Sequence, residues 1–416
     1  MSSRIFLVDH MCVLPYGHNL GALLLFQKAM QEKFQEIVCL ASRELSDVAD
    51  QSNKVERELF FPYAGSFEIK GTISSRSRLY PIICSLIPKA LKRIAYTGLA
   101  NMPNRDYIRY KTMLDWIRVF QKYSIGKKDV LFFPSTDYYG CLSLFDYLEN
   151  IPASKHPKIH LRMIGVMEYA SYRLCQSKYH FFYHLRRSIS NGISFTVSAE
   201  TPKYSKFISK IINKPVTYMP YPLIHKFTPI RWEYVKTLSS PGQGREDKGF
   251  FRIYKIISEI YRYGFGEKFR FDVQNMRVND LGFRKAYQSM LQKVPYLRLR
   301  AETLSDKEIL EIYQDSDILL LPYDTETYQL RGSAVYQEGI AIGRPVVCSR
   351  GTGISELVER YGNGLLANDD REFAQKIIEL SQLSRLEIIR MVEKSREVYL
   401  ADVENGISEI FGRLNE

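Results

Sequence analysis

The sequence predicts an α/β protein: two Rossmann-like, doubly wound domains followed by a C-terminal helix. Short β-branched and apolar runs recur along the 416 residues, separated by helix-length segments, which is the pattern of parallel βαβ units. The length suits two or three domains at roughly 150 residues each. A stretch with two punctuating prolines, Tyr221-Pro-Leu-Ile-His-Lys-Phe-Thr-Pro229, separates the two series and predicts the linker. The expected organisation is a first domain over 1–228, a second over 229–384 and a helical segment over 385–416 that returns to the first domain.

In chain order, Ile5-Phe-Leu-Val opens as a buried strand and residues 19–33 form a helix. Strands follow at Glu36-Ile-Val-Cys-Leu, Asp129-Val-Leu-Phe-Phe, Lys158-Ile-His-Leu-Arg-Met-Ile and Ser194-Phe-Thr-Val-Ser. Residues 52–128 break the rhythm and are expected as an insertion. In the second series, strands are expected at Tyr234-Val-Lys-Thr-Leu, Phe269-Arg-Phe-Asp-Val, Tyr296-Leu-Arg-Leu, Asp317-Ile-Leu-Leu-Leu and Pro345-Val-Val-Cys. Helices are expected near 249–263, 278–292, 305–314, 333–342, 353–360 and 370–381. The polar stretch 385–416, with spaced Ile, Val, Leu and Phe, reads as helix.

Aromatic content of 13% and abundant Leu and Ile exclude a disordered chain. The six cysteines form no CxxC pair, which argues against a zinc site or disulfide framework and fits a reducing compartment. No apolar run approaches the ~20 residues of a membrane span, and Met1 to Gly17 lacks a signal-peptide core. A cytoplasmic protein is expected. The net charge of +12 is uneven: residues 1–228 hold 31 basic and 17 acidic side chains, residues 229–416 hold 27 and 29. Within 71–128 the balance is 12 basic to 2 acidic. Two domains with different partners explain that better than a uniformly basic nucleic-acid binder.

Three constellations in the second half carry chemistry. Gly242-Gln-Gly-Arg245-Glu-Asp-Lys248-Gly follows the opening strand, where a glycine turn into a helix offers backbone N–H groups to an anion. Arg245 adds a planar fork and Lys248 a mobile point charge, together suited to a diphosphate; a turn with solvated charges is the plain alternative. Next, Tyr328-Gln-Leu-Arg331-Gly332-Ser333 opens a helix that carries Glu338 and ends before Gly343-Arg-Pro-Val-Val. That helix start lies in the crevice outside the strand ends, and Glu338 has the reach to accept two ribose hydroxyls. Third, Ser349-Arg-Gly351-Thr-Gly353-Ile-Ser-Glu356 is again a strand running into a glycine turn, followed by Asn363-Gly364.

In this order and spacing the three resemble the C-terminal domain of retaining glycosyltransferases of the GT-B fold, the superfamily of glycogen and sucrose synthases and many bacterial polysaccharide glycosyltransferases. The match rests on Gly244, Arg245, Lys248 and Gly249; on Glu338, Ala341, Gly343, Pro345, Val346 and Val347; and on Gly351, Gly353, Glu356, Asn363 and Gly364. It is good over about 230–370 and looser before, where Met219-Pro-Tyr-Pro resembles a family motif. The resemblance implies two domains facing across a cleft and a nucleotide diphosphate sugar as co-substrate, with no other cofactor and no metal. Arg245 and Lys248 would neutralise the diphosphate, Glu338 would bind the ribose, and the backbone at Gly332 and Ser333 would cradle the distal phosphate. One departure stands out. The family pairs two glutamates eight positions apart, the first on the donor sugar, and eight before Glu338 stands Leu330. Asp324, Glu326 or Gln329 are the candidates to replace it, with Arg331 taking part of the phosphate contact.

In the first half, Gly17 lies where the family turns past the donor phosphates, and His18 is placed to reach acceptor or leaving group; the alternative is a helix start beside a capping Asn19. Arg162 and Glu168, around the end of the strand Lys158 to Met163, are candidates for acceptor or donor contact, with an ordinary ion pair as the alternative. Ser198-Ala-Glu200-Thr201 is a weaker candidate, and His180 with His184 has zinc spacing but no visible third ligand. The basic and apolar run Arg76 to Tyr96 fits an anionic membrane interface, with Tyr179 to Arg187 flanking it; a helical insertion packed on the domain with a solvated basic side is the plain alternative. What the resemblance implies for the acceptor, a glycan or lipid-linked saccharide in cell-surface polysaccharide or lipopolysaccharide synthesis on the inner face of the cytoplasmic membrane, would suit such a face. The rival functions are a sugar-nucleotide epimerase on the same frame and a nucleic-acid binder.

Overall fold

In the computed structural model, which describes residues 4–14, 18–46, 55–60, 105–165, 181–223, 227–276 and 282–415, the apolar runs become two parallel sheets. Contacts divide the chain into two units. The first comprises Met1–Glu200, Ser205–Pro222 and Gly406–Glu416, and the second Thr201–Tyr204 and Leu223–Asn405.

The first unit is built on β1 (Arg4–Asp9), α1 (His18–Met30), β2 (Glu36–Ser42), β3 (Val55–Leu59), α2 (Arg105–Tyr123), β4 (Val130–Phe133), α3 (Tyr138–Glu149), β5 (Lys158–Met163), α4 (Phe181–Ser190), β6 (Thr196–Ala199), α5 (Pro202–Ile212, from Ser205 onward) and β7 (Thr217–Tyr218). Its strand order is β3-β2-β1-β4-β5-β6-β7. β1 is parallel to β2 on one side (Ile5 opposite Ile37) and to β4 on the other (Ile5 opposite Val130). Ile5 to Val8 and Val130 to Phe133 are buried, as strands covered on both faces must be. Trp116 of α2 is buried and donates its indole N–H to the Gly140 carbonyl of α3 at 2.8 Å.

The second unit repeats the plan with β8 (Lys236–Ser240), α6 (Ile253–Arg262), β9 (Phe269–Gln274), α7 (Gly282–Gln292), β10 (Leu297–Arg300), α8 (Asp306–Asp315), β11 (Ile318–Leu321), α9 (Ala334–Ile342), β12 (Val346–Ser349), α10 (Gly353–Tyr361), β13 (Gly364–Ala367) and α11 (Asp370–Ser381). Its order is β10-β9-β8-β11-β12-β13. α6 buries Ile253, Ile256, Ile257 and Ile260, one face at helical spacing, against Leu238, Phe271 and Phe373. Ser305 and Glu308 close a reciprocal capping box at the start of α8. In each sheet the strand order reverses beside the first strand, between β1 and β4 and between β8 and β11. The crevice at the carboxyl ends of those pairs is the binding position of this architecture.

The expected strands and helices are present, with shifts of a few residues at their ends. Three strands were not expected. β3 is one, and it lies inside the segment read as an insertion. It pairs with β2, while α2 packs on α3, so both described ends of 52–128 are integral to the first unit. The basic run Arg76 to Tyr96 lies outside the described residues. The C-terminal segment is one long helix, α12 (Arg385–Asn415). Its earlier turns belong to the second unit, where Arg396 donates to the Ala341 carbonyl at 2.8 Å. From Gly406 it belongs to the first, where Glu409 accepts from Thr217 Oγ1 at 3.0 Å and Phe411 meets Phe34 edge-on. Among the described residues no helix is long and apolar enough to cross a membrane.

Candidate functional site

In the second unit, the chain leaving β8 does not run straight into a helix as the glycine turn suggested. It makes two 3-10 turns, Glu246–Lys248 and Phe250–Arg252, joined at Gly249. Gly249 has φ +71°, and a Cβ there would lie 1.9 Å from the Pro322 carbonyl oxygen at the end of β11. Only glycine meets both demands. Their effect is to press the Arg245–Lys248 turn against the β11–α9 loop, and the Asp324 N–H donates to the Asp247 carbonyl at 2.9 Å across that contact.

Lys248 Nζ comes to 3.1 Å from where a Cβ on Gly242 would stand, and Val335 of α9 flanks the same point. The ammonium therefore sits at the carboxyl end of β8, beside the N-terminal turn of α9. Burial pulls its pKa down to about 8, the charge of Arg245 adds to that, and Asp247 and Glu338 oppose it. Arg245, 47% exposed at its side chain, is held by the Asp247 carboxylate (Nε to Oδ1 3.0 Å, Nη2 to Oδ2 2.8 Å) and donates to the Tyr328 hydroxyl at 2.8 Å. Ser333 is the N-cap of α9, accepting from the Tyr336 N–H, and lies 3.3 Å from the Tyr323 hydroxyl. The first-turn N–H groups of α9 and its positive end face the same region as the two cations. Arg331 is half-buried, and burial lowers its guanidinium to about 10. Glu338, also half-buried on α9, is close enough to raise Lys248 and the buried phenols of Tyr313 and Tyr323.

Arg245, Lys248, Arg331, Gly332, Ser333 and Glu338 thus come together at one end of the second sheet. Of the candidates for the missing sugar-facing carboxylate, Asp324 accepts from the Thr327 N–H at 2.7 Å and caps its own turn. Glu326 and Gln329 are exposed on the loop. Leu330 is buried, and its carbonyl accepts from Thr201 Oγ1 at 2.7 Å. The third glycine motif supports this loop from behind. Gly353 N–H donates to the Tyr328 carbonyl at 2.7 Å, and a Cβ on Gly353 would lie 2.6 Å from the Arg331 oxygen.

In the first unit the candidates are dispersed differently. Gly17 and Glu168, with His180, lie outside the described residues; His18 begins α1. Asn19 is not the cap of that helix. It lies in the first turn and donates Nδ2 to both Asp9 oxygens, at 2.9 and 3.2 Å. Arg162, read from sequence as facing substrate, is 0% exposed. Its guanidinium donates to the carbonyls of Met219 (3.3 Å) and Pro134 (3.1 Å) and stacks 4.0 Å above the Tyr221 ring. A cation so enclosed ties β4 and β5 to the segment after β7. Glu200 is likewise engaged, accepting from the Gly165 N–H at 2.8 Å.

Sequence reasoning passed over two acids at this end of the first sheet. Asp9 closes β1; burial raises its carboxyl to about 7, against the hydrogen bonds from Asn19 and Met11. Asp137 caps α3, and burial raises it to about 6. Between them His10 is kept neutral by burial, its pKa pushed to about 3, with its ring edge-on to Trp116. A charged residue ending the first strand, next to the reversal in strand order, was the available signal. Among the described residues no group of His, Cys, Asp and Glu is arranged to hold a metal ion.

Residues 282–382 match the family model described as glycosyl transferases group 1. A curated protein of Escherichia coli strain K12, the putative colanic acid biosynthesis glycosyltransferase WcaL, is 37% identical over 94 residues. That stretch is 22% of this chain and 23% of WcaL, so the chain spans about a quarter of the curated relative it matches. Among solved structures, the E. coli trehalose-6-phosphate protein bound with UDP-2-fluoro glucose aligns over 100% of this chain and 99% of its own, with TM-score 0.66 and 12% identity. The sucrose-phosphate synthase of Thermosynechococcus elongatus aligns over 99% and 98%, with TM-score 0.62 and 12% identity. S. aureus TarM, in complex with fondaparinux, alpha-GlcNAc-glycerol and UDP, covers 73% of this chain and 59% of its own, with TM-score 0.53 and 14% identity. At these identities the structures speak for the fold alone, which is of the GT-B type. Over the stretches they match, the family model and the curated relative point to one class, the glycosyltransferases.

Proposed function

We propose that this chain, which carries the group 1 glycosyltransferase domain over residues 282–382, moves a hexosyl unit from a nucleotide diphosphate sugar to a glycan or lipid-linked saccharide, with retention at the anomeric carbon. The observation that carries the proposal is the placement of Arg245 and Lys248 beside the N-terminus of α9, at the carboxyl ends of β8 and β11. Two cations and a helix end converging on one point suit a diphosphate. Glu338, on the same helix, would take the ribose hydroxyls.

Chemically, the bond from the anomeric carbon to the leaving diphosphate breaks while the acceptor oxygen bonds on the same face. The acceptor proton passes to an oxygen of the departing diphosphate. The chain then supplies position and charge more than a base: Arg245 and Lys248 meet the negative charge that grows on the leaving group, and the α9 N–H groups stabilise it without reorganising. The first unit would hold the acceptor, with Gly17, His18 and Glu168 kept as the candidates the sequence offers for contact with it; Arg162 would act through the loops it ties together. The basic excess of residues 1–228 supports an acceptor presented at an anionic membrane surface, and the relative's name supports cell-surface polysaccharide as the product class.

A thermal-shift screen against UDP, GDP, ADP and CMP tests the donor side, because a ligand that binds only the folded state raises the melting temperature. At least one diphosphate should stabilise the protein, and CMP should do so less. Stabilisation by none of them would count against a nucleotide-sugar enzyme. With the donor base known, proton NMR of the product should show the anomeric configuration of the donor; an inverted product would overturn retention.

A further inference from the structure

Arg245 and Arg331 arrive from different segments, one after β8 and the other before α9, yet both rest on one side chain. Tyr328 is 4% exposed. Its hydroxyl accepts from Arg245 Nη2 at 2.8 Å, and Arg331 Cζ lies 5.8 Å from its ring centroid. The ring packs on Tyr323 with centroids 4.5 Å apart, and the Tyr323 hydroxyl reaches Ser333, the cap of α9. The backbone of Tyr328 is fixed on both sides, donating to the Asp324 carbonyl at 3.0 Å and accepting from the Gly353 N–H at 2.7 Å. Asp247 grips Arg245 through Nε and Nη2, the nitrogens on the side away from Nη1. Nη1 of Arg245 accordingly has no partner among the described residues.

We propose that Tyr328 is a positioning residue for the diphosphate site. Its hydroxyl sets the guanidinium of Arg245, its ring face sets Arg331, and its contact with Tyr323 registers both against the N-terminus of α9. A free arginine side chain loses rotamer entropy when it is fixed, and a site whose cations are already placed loses less of it on binding. The inference rests on the reading of this site as a diphosphate binder.

The test uses the full chain with UDP, GDP, ADP and CDP as probes, each beside its nucleoside, in calorimetric titrations of wild type, Tyr328→Phe, Arg245→Ala and the double variant. Tyr328→Phe keeps the ring under Arg331 and against Tyr323 and removes only the hydroxyl. It should weaken diphosphate binding about tenfold, the worth of a hydrogen bond to a charged group, while nucleoside affinity and melting temperature stay near wild type. In the Arg245→Ala background the same change should have no further effect. Tyr328→Phe binding diphosphate like wild type while Arg245→Ala loses it would overturn the proposal. So would an equal loss for nucleoside and diphosphate, which would mark Tyr328 as a support of the loop only. If Arg245→Ala leaves diphosphate binding intact, or the wild type binds no probe, the reading of the site fails first and the proposal falls with it.

Discussion

Lys248 is a cation whose surroundings have brought its titration close to neutral pH. Burial and the neighbouring Arg245 lower it to about 8, and Asp247 and Glu338 only partly oppose them. The sign of the consequence follows directly. The protonated ammonium attracts a diphosphate and the neutral amine does not, so bound ligand raises the Lys248 pKa, and affinity falls as pH rises above about 8. The slope approaches, at most, about tenfold per pH unit. Dissociation constants at pH 7, 8 and 9 should show that fall in wild type and a flatter profile in Lys248→Arg, whose guanidinium stays charged. Equal slopes would remove Lys248 from the site. The grouping of Lys248 with Arg245 on one turn was legible because the two stand three residues apart behind a glycine. Arg162 was not. The Pro134 and Met219 carbonyls that enclose it stand 28 and 57 positions away in the chain, and only folding brings them within reach.

At the scale of elements, the turn at Gly249 decides where the cations stand. Gly249→Ala would place a methyl group 1.9 Å from the Pro322 oxygen in a left-handed conformation. Strain and overpacking together should cost roughly 2–5 kcal/mol of stability. Gly126→Ala, with nothing within 4 Å of the new atom, should cost almost none; urea denaturation of the two variants checks the contrast. A tolerated Gly249→Ala would mean that the turn is not clamped to β11. Strands buried on both faces, such as Ile318-Leu-Leu-Leu and Val130-Leu-Phe-Phe, announce themselves as apolar runs, and α6 as a stripe of isoleucines. The strands that escaped notice lack that signal. β3 is an edge strand reading Val-Glu-Arg-Glu-Leu, β7 has two residues, and β13 is a short Gly-Leu-Leu-Ala that depends on Val346 to Ser349 for its pairing. The two 3-10 turns ahead of α6 were hidden for a related reason: they are made by a contact with Pro322, which leaves no local periodicity.

For the whole molecule, the parallel sheets of seven and six strands each reverse their order beside their first strand, and the second carries the cations at that reversal. Charge is divided unevenly along the chain, 31 basic to 17 acidic side chains over 1–228 against 27 to 29 over 229–416. The fold, and the gathering of Arg245, Lys248 and Glu338 at one end of the second sheet, were legible because glycine turns, cations and an acidic helix residue recur in a fixed order. The first unit was less legible, since its Arg162 and Asn19 turn inward to carbonyls and to the buried Asp9. Arg245 and Lys248 are proposed to bind a nucleoside diphosphate. The most direct test is calorimetric titration of the Arg245→Ala, Lys248→Ala double variant with whichever of UDP or GDP binds the wild type. Affinity should fall by at least about a hundredfold, on the scale of two lost charge-assisted contacts, with the melting temperature of the free protein little changed. Undiminished binding in a folded double variant would contradict the assignment of the site.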